Sequence, residues 1–130
     1  MSVAYYIVLD NGISGSNTFV HSRAIAKAAD TLDHIAHKLS LPDIDDFLSM
    51  TSMELQRLLQ EDLISPIQEE SWFSPAEGIV FFERLAKHLL ANPYVLDDAS
   101  AVIRDLAEYQ GVLQNARKIN ARWHLGLYFT

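Results

Sequence analysis

The sequence predicts an α+β fold, in which the N- and C-terminal strands pair in a small sheet that packs against about four helices. Residues 3–9 form an apolar run rich in β-branched and aromatic side chains, which is typical of a strand. Residues 122–129 alternate apolar and polar side chains, and most of the sequence between these two segments repeats apolar residues at helical spacing. A chain of 130 residues fits one domain, so residues 1–130 are expected to form a single unit.

The first part of the chain is predicted to contain the N-terminal strand and one long helix. An Asp-Asn-Gly turn stops the strand, and a third short strand could come from residues 18–20 or from a second subunit. A helix is predicted from Ser22 to about Leu39, because apolar residues recur there in one stripe. Asp43 is expected to begin a short helical turn over residues 43–49.

The rest of the chain is predicted to be mainly helical up to the C-terminal strand. A capping box at Thr51 opens one helix, and residues 62–74 are expected to form a loop. A Ser-Pro-Ala-Glu sequence at Ser74 combines a capping serine with a proline at the first helical position, and this helix is expected to end at Asn92-Pro93. The next helix is predicted over about residues 97–118, with acids at its start and bases at its end.

Acidic residues are concentrated in the middle of the chain, within a net charge of −7. Residues 41–83 contain ten acids and one base, whereas residues 1–40 contain three of each and residues 84–130 contain four acids and six bases. An acidic surface disfavours nucleic acid and anionic membranes as partners, because both need a basic face. Such segregation is typical of a solubilising surface or of a surface that recognises a basic protein, and the sequence leaves both open.

Several functional classes lack the residues that they require. The chain has no cysteine, which excludes disulfides and thiol nucleophiles and favours a reducing, cytoplasmic location. No apolar run approaches the ~20 residues of a membrane span, and no secretory signal pattern is present. The glycines at residues 12–15 match no phosphate-binding loop, and a Gly-x-Ser-x-Gly nucleophile motif is absent. We therefore expect no cofactor.

Two histidines on the first predicted helix offer a possible metal site. His34 and His37 lie on the side opposite the apolar stripe, and Asp30 and Asp33 precede them by four residues each. Imidazole and carboxylate groups bind zinc or nickel. The alternative is two exposed Asp–His pairs. We favour the pairs and expect no metal, because a zinc site needs three or four protein ligands and the sequence offers no further motif.

A second candidate site lies on the C-terminal strand. His124 is predicted to share one face with Arg122 and Tyr128, and Tyr6 could join them from the neighbouring strand. These side chains could bind a small anion or carboxylate, so the alternative function is a small-ligand-binding protein or a metal-dependent enzyme. The competing interpretation is that the face packs on a helix and that His124 is hydrogen-bonded inside the protein. No residue is assigned a catalytic role.

Candidate partner-binding residues come from the acidic middle of the chain and from one helix. The acidic candidates are Asp43, Asp45, Asp46, Glu69 and Glu70. Phe81 is the apolar candidate, because it is predicted to fall on the polar side of a helix that is apolar nearly all round. The alternative is that this helix is central and buries Phe81.

The two ends of the chain carry a resemblance to other proteins. The opening Ala4-Tyr5-Tyr6-Ile7-Val8-Leu9-Asp10 and the closing Arg122-Trp123-His124-Leu125 resemble those of a small family of uncharacterised bacterial proteins. The resemblance implies a bacterial source and no particular activity. From the charge distribution we predict a non-enzymatic interaction or regulatory module, such as an inhibitor or immunity protein that neutralises a basic partner. A homodimer is a further possibility, and the sequence leaves an enzymatic activity open.

Overall fold

A computed structural model of the chain describes residues 3–10, 22–49 and 71–129. Strand β1 (Val3–Leu9) and strand β2 (Trp123–Phe129) pair antiparallel, with register from Val3 opposite Phe129 to Leu9 opposite Trp123. The α+β fold class and the pairing of the two terminal strands are therefore confirmed.

Helices occupy most of the described sequence between the two strands. They are α1 (Arg23–Lys27), α2 (Ala29–Lys38), α3 (Pro75–Ala91) and α4 (Ala99–Lys118), with 3₁₀ helices at Ile44–Phe47 and Pro93–Val95. The prediction of one continuous helix after Ser22 is wrong at one point, because α1 and α2 are separated at Ala28. The Ala28 N–H is shared between the carbonyls of Ala24 and Ile25, at 3.1 and 3.2 Å, in a tightened turn that interrupts the α-helical pattern.

Capping side chains begin α1 and α3 where the sequence predicts. Ser22 and Ser74 have extended backbones, and the hydroxyl oxygen of each accepts a hydrogen bond from the backbone N–H three residues later, at 2.9 and 3.3 Å. The first 3₁₀ helix follows Asp43, whose N–H donates to Asp46 Oδ2 at 2.9 Å. Because these signals are local, they could be recognised without knowledge of the tertiary structure.

Short bridges lie along both edges of the two-stranded sheet. Tyr5 in β1 exchanges backbone hydrogen bonds with Ser22, at 3.2 and 2.9 Å. Trp123 in β2 exchanges them with Phe73, at 3.0 and 2.8 Å. These bridges hold the starts of α1 and α3 against the sheet, since Ser22 is the N-cap of α1 and Phe73 directly precedes Ser74, the N-cap of α3.

Trp123 lies at the centre of a buried aromatic cluster under the sheet. Its ring centroid is 5.0 Å from that of Phe47, 5.6 Å from that of Phe82 and 6.1 Å from that of Phe73. The indole N–H donates to the backbone carbonyl of Ser74 at 2.8 Å, so the buried polar atom is satisfied. The cluster joins β2, α3 and the first 3₁₀ helix.

Two hydrogen bonds join α4 to the N-terminal part of the fold. The Tyr109 hydroxyl donates to the Tyr5 carbonyl at 2.6 Å, and the Ser22 hydroxyl donates to Asp105 Oδ2 at 2.7 Å. Burial and the nearby charge of Asp105 raise the pKa of Tyr109, so its hydroxyl remains a donor at neutral pH.

Some predicted elements fall outside the described residues. These are the third strand at residues 18–20, the helix after Thr51, and residues 62–70 of the predicted loop. Within the described ranges, none of the helices is both long enough and apolar enough to span a membrane.

Candidate functional site

The strand register places several of the predicted ligand-site residues on one face of the sheet. Tyr6 is opposite Gly126 and Val8 is opposite His124, so the four side-chain positions lie on the same face. A Cβ atom at Gly126 would lie 2.6 Å from the Tyr6 ring, which shows that the ring covers Gly126. Tyr128 is on this face by register, and its side chain lies outside what the structure describes.

His124 is an internal residue with 0% of its surface exposed. Its Nδ1 lies 3.1 Å from the backbone carbonyl of Ser71, and because a carbonyl can only accept, Nδ1 carries the proton. The ring packs on Trp72, with centroids 4.2 Å apart and an angle of 34° between the planes. This arrangement agrees with the interpretation of His124 as a packed, hydrogen-bonded residue.

Arg122 lies in a different environment, exposed and immediately before the start of the same strand. Its N–H and Nε–H donate to the two carboxylate oxygens of Asp10, at 2.7 and 2.9 Å. Desolvation acts to raise the pKa of Asp10, but the hydrogen bonds and charge of Arg122 outweigh it and hold that pKa below its ordinary value. Arg122 thus pairs with Asp10 at the end of the strand pair where β1 finishes and β2 begins, whereas His124 is buried inside the protein.

The histidine pair on α2 is not arranged as predicted. His34 and His37 are both exposed, but His37 pairs with Asp43 across the turn after α2 and not with Asp33. Asp33 Oδ1 instead accepts a hydrogen bond from the Ile44 N–H at 2.9 Å. In the part of the chain that the structure describes, no three histidine, aspartate or glutamate side chains are grouped so that they could hold a metal ion.

Five aspartates from α2, from the first 3₁₀ helix and from the residue that caps it form a group that we call the acidic cluster. Its members are Asp30, Asp33, Asp43, Asp45 and Asp46. Asp45 Oδ1 accepts a hydrogen bond from the Tyr5 hydroxyl at 3.0 Å, which ties the cluster to β1. Asp30, Asp45 and Asp46 are exposed, so the cluster presents negative charge to solvent from a well-anchored part of the fold.

The carboxylates of the acidic cluster affect one another. Burial and the charges of Asp43 and Asp45 raise the pKa of Asp33, against the opposing effects of the Ile44 N–H and of His37. Burial and the charge of Asp45 raise the pKa of Tyr5 as well, so its hydroxyl stays protonated. The free protein therefore holds like charges in proximity, at a cost to its own stability.

The remaining partner-binding candidates are Phe81, Glu69 and Glu70. Phe81 is 1% exposed, and its ring lies 4.9 Å from that of Phe47 and 5.3 Å from that of Phe82. The predicted placement of Phe81 on the polar side of its helix is therefore wrong, and the alternative of central burial is correct. The helix is apolar on both sides of Phe81, so periodicity alone could not fix its rotation. Glu69 and Glu70 lie outside the described residues.

The sequence alone does not reveal that these five aspartates belong together. It places Asp30 and Asp33 in a possible metal site and only Asp43, Asp45 and Asp46 among the partner-binding candidates. A signal was present, because only five residues separate the end of α2 at Lys38 from the first 3₁₀ helix. So short a connection must place the 3₁₀ helix beside the end of α2.

No protein-family model, curated protein or solved structure matches the chain.

Proposed function

We propose that the protein is a non-enzymatic cytoplasmic interaction module, and that its acidic cluster binds a basic protein in the manner of an inhibitor or immunity protein. The observation that carries the proposal is the convergence of five aspartates, from α2 and from residues 43–46, on one anchored surface. Charge complementarity of this kind accelerates encounter with a basic partner and rejects acidic ones.

The electrostatics of the cluster support a partner-binding role over a purely solubilising one. Solubility requires only dispersed charge, whereas Asp33 is partly buried among other carboxylates and has a raised pKa. A lysine or arginine from a partner would relieve this repulsion, so part of the stability lost in the free protein would be regained in the complex.

The fixed geometry of the cluster supports the same role. Asp45 is held by the Tyr5 hydroxyl, Asp46 by the Asp43 N–H, and the 3₁₀ helix that carries them buries Ile44 and Phe47 in the core. Carboxylates that are already positioned lose less conformational entropy when they pair with a partner's basic side chains. Preorganisation of this kind distinguishes a binding surface from a set of mobile surface charges.

The test compares two double variants that remove the same number of charges. Asp45→Asn with Asp46→Asn acts on the cluster and keeps side-chain oxygens as acceptors, whereas Asp97→Asn with Glu108→Gln acts on exposed acids elsewhere. Immobilised parent protein captures partners from a bacterial lysate, and the association rate with the captured basic protein is measured against salt concentration. The cluster variant should associate more slowly at low salt, by a factor on the order of 3–10, and should show a weaker salt dependence.

The control variant should match the parent in rate and in salt dependence. Equal effects of the two double variants would mean that only net charge matters. Capture that is unchanged by the cluster substitutions would show that the aspartates serve solubility, and either result would contradict the proposal.

A further inference from the structure

Helix α3 exposes apolar side chains on the face that points away from the core. Val80 is 51% exposed and Leu90 is 65% exposed, and Tyr94, just beyond the end of the helix, is 99% exposed. Glu83 and Lys87 lie between Val80 and Leu90 and form an i, i+4 pair with Lys87 Nζ 3.4 Å from Glu83 Oε1. At 100° per residue Val80, Glu83, Lys87 and Leu90 form one stripe, with an exposed apolar side chain at each end and a charged pair in its middle.

The order of residues in this stripe is self-complementary. Val80 and Leu90 lie five residues on either side of position 85, and Glu83 and Lys87 lie two residues on either side. If two copies of the helix pack antiparallel about a two-fold axis at position 85, Val80 of each faces Leu90 of the other. Glu83 of each then faces Lys87 of the other, as an isologous interface requires.

We propose that the outer face of α3 is a homodimer interface in which a second copy of this chain packs antiparallel to the first. Charge complementarity favours a second copy as the partner, because Glu83 then meets Lys87 and Val80 then meets Leu90.

The stripe can associate with a second copy although the whole chain is acidic, with a net charge of −7. The charges of Glu83 and Lys87 cancel within the stripe, so two copies of it do not repel each other there. One helical face buries little area, so the dimer is weak and forms at high micromolar concentration or above. The interface is separate from the acidic cluster, so this inference stands whether or not that cluster binds a partner.

The first test is the mass of the protein as a function of concentration, measured by sedimentation velocity. The mass of the parent should rise from 14.7 kDa toward twice that value as concentration rises to about 1 mM. Leu90→Arg should abolish the rise without lowering the melting temperature, because Leu90 is exposed. Ile119→Arg is the matched control, an exposed apolar residue changed at the end of α4, and it should dimerise as the parent does.

The second test reverses the central charges. Glu83→Lys places two lysines opposite each other at both contacts, and Lys87→Glu places two glutamates there, so each single variant should be monomeric. Mixing the two variants should restore dimers, because every contact then joins a lysine and a glutamate. The intrachain pair cannot produce this result, since mixing does not repair it.

Three results would overturn the proposal. The parent could remain monomeric up to about 1 mM. A dimer could form and survive Leu90→Arg, which would place the interface elsewhere. The two charge-reversed variants could fail to associate when mixed although each is folded by its melting curve, which would exclude the antiparallel register.

Discussion

Gly78 marks the point where α3 comes closest to the buried indole of Trp123. A Cβ added at Gly78 would lie 2.7 Å from Trp123 Cε2 and 2.6 Å from Leu113 Cδ1, well inside the optimal separation of about 3.5–4.0 Å between carbon atoms. The indole has little freedom to move, because it stacks on Phe47 and its N–H is bonded to the Ser74 carbonyl. Gly78→Ala should therefore force a shift in the middle of the core.

The expected size of this effect follows from two opposing contributions. Replacing glycine by alanine within a helix stabilises it by about 1 kcal/mol. Overpacking a well-packed core costs about 1–3 kcal/mol, and displacing the indole from its hydrogen bond adds about 1 kcal/mol. We expect Gly78→Ala to lower the free energy of unfolding by about 1–3 kcal/mol, which for a chain of this size lowers the melting temperature by roughly 5–10 °C.

Gly111 provides the matched control on α4. Nothing lies within 4 Å of a Cβ placed at Gly111, so Gly111→Ala should show the helical gain alone, about 0.5–1 kcal/mol. Urea denaturation followed by tryptophan fluorescence, together with calorimetry, measures both variants. The two substitutions should move stability in opposite directions. If Gly78→Ala proves as stable as Gly111→Ala, the close approach of α3 to Trp123 is refuted.

Three further substitutions test individual contacts. Tyr109→Phe removes the hydrogen bond to the Tyr5 carbonyl and should cost about 0.5–1.5 kcal/mol in urea denaturation; no loss would contradict that bond. Asp10→Asn should lower the free energy of unfolding by at most about 1 kcal/mol at pH 7 and should have no effect near pH 2. Arg122 lowers the pKa of the Asp10 carboxyl, so the charged carboxylate stabilises the fold above the unfolded pKa of about 3.9. This stabilisation is lost as pH falls and the carboxylate becomes protonated. Asp33→Asn should change the free energy of unfolding in the opposite direction. The pKa of Asp33 is raised in the folded protein, so the parent loses stability as pH rises through that pKa. That variant should be more stable than the parent at pH 7 and equal to it below about pH 3, as pH-dependent melting would show.

The features that could be predicted from the sequence are those encoded locally. The alternation in residues 122–129 and the apolar run in residues 3–9 indicated two strands, and each had only the other as a comparable partner. Ser74 supplied a complete helix start in four consecutive residues. Such signals depend on backbone hydrogen bonding within a few residues, and distant parts of the fold do not alter them.

The features that could not be predicted depend on contacts between distant segments. Val80 and Phe81 are apolar neighbours on α3, and Phe81 is buried through its contact with Phe47 from a distant segment, whereas Val80 is exposed. His124 is enclosed by Ser71 and Trp72, more than 50 residues earlier, which no pattern within β2 could reveal. Hydrophobic periodicity identifies a buried face only when the opposite face is polar.

The first 3₁₀ helix links the core to the proposed binding surface. Its buried residue Phe47 packs against Trp123, while Asp45 and Asp46 on the same turn face solvent. A change that displaces Trp123 should therefore also displace the acidic cluster, because Phe47 and Asp45 are only two residues apart. Changing Asp45 and Asp46 to asparagine should leave the core intact, because asparagine keeps an oxygen that can accept from the Tyr5 hydroxyl and from the Asp43 N–H. Both Gly78→Ala and Asp45→Asn should therefore slow partner association, the first by displacing the acidic cluster and the second by removing a charge. Only the effect of Asp45→Asn should disappear at high salt, because salt screens charge but does not restore geometry.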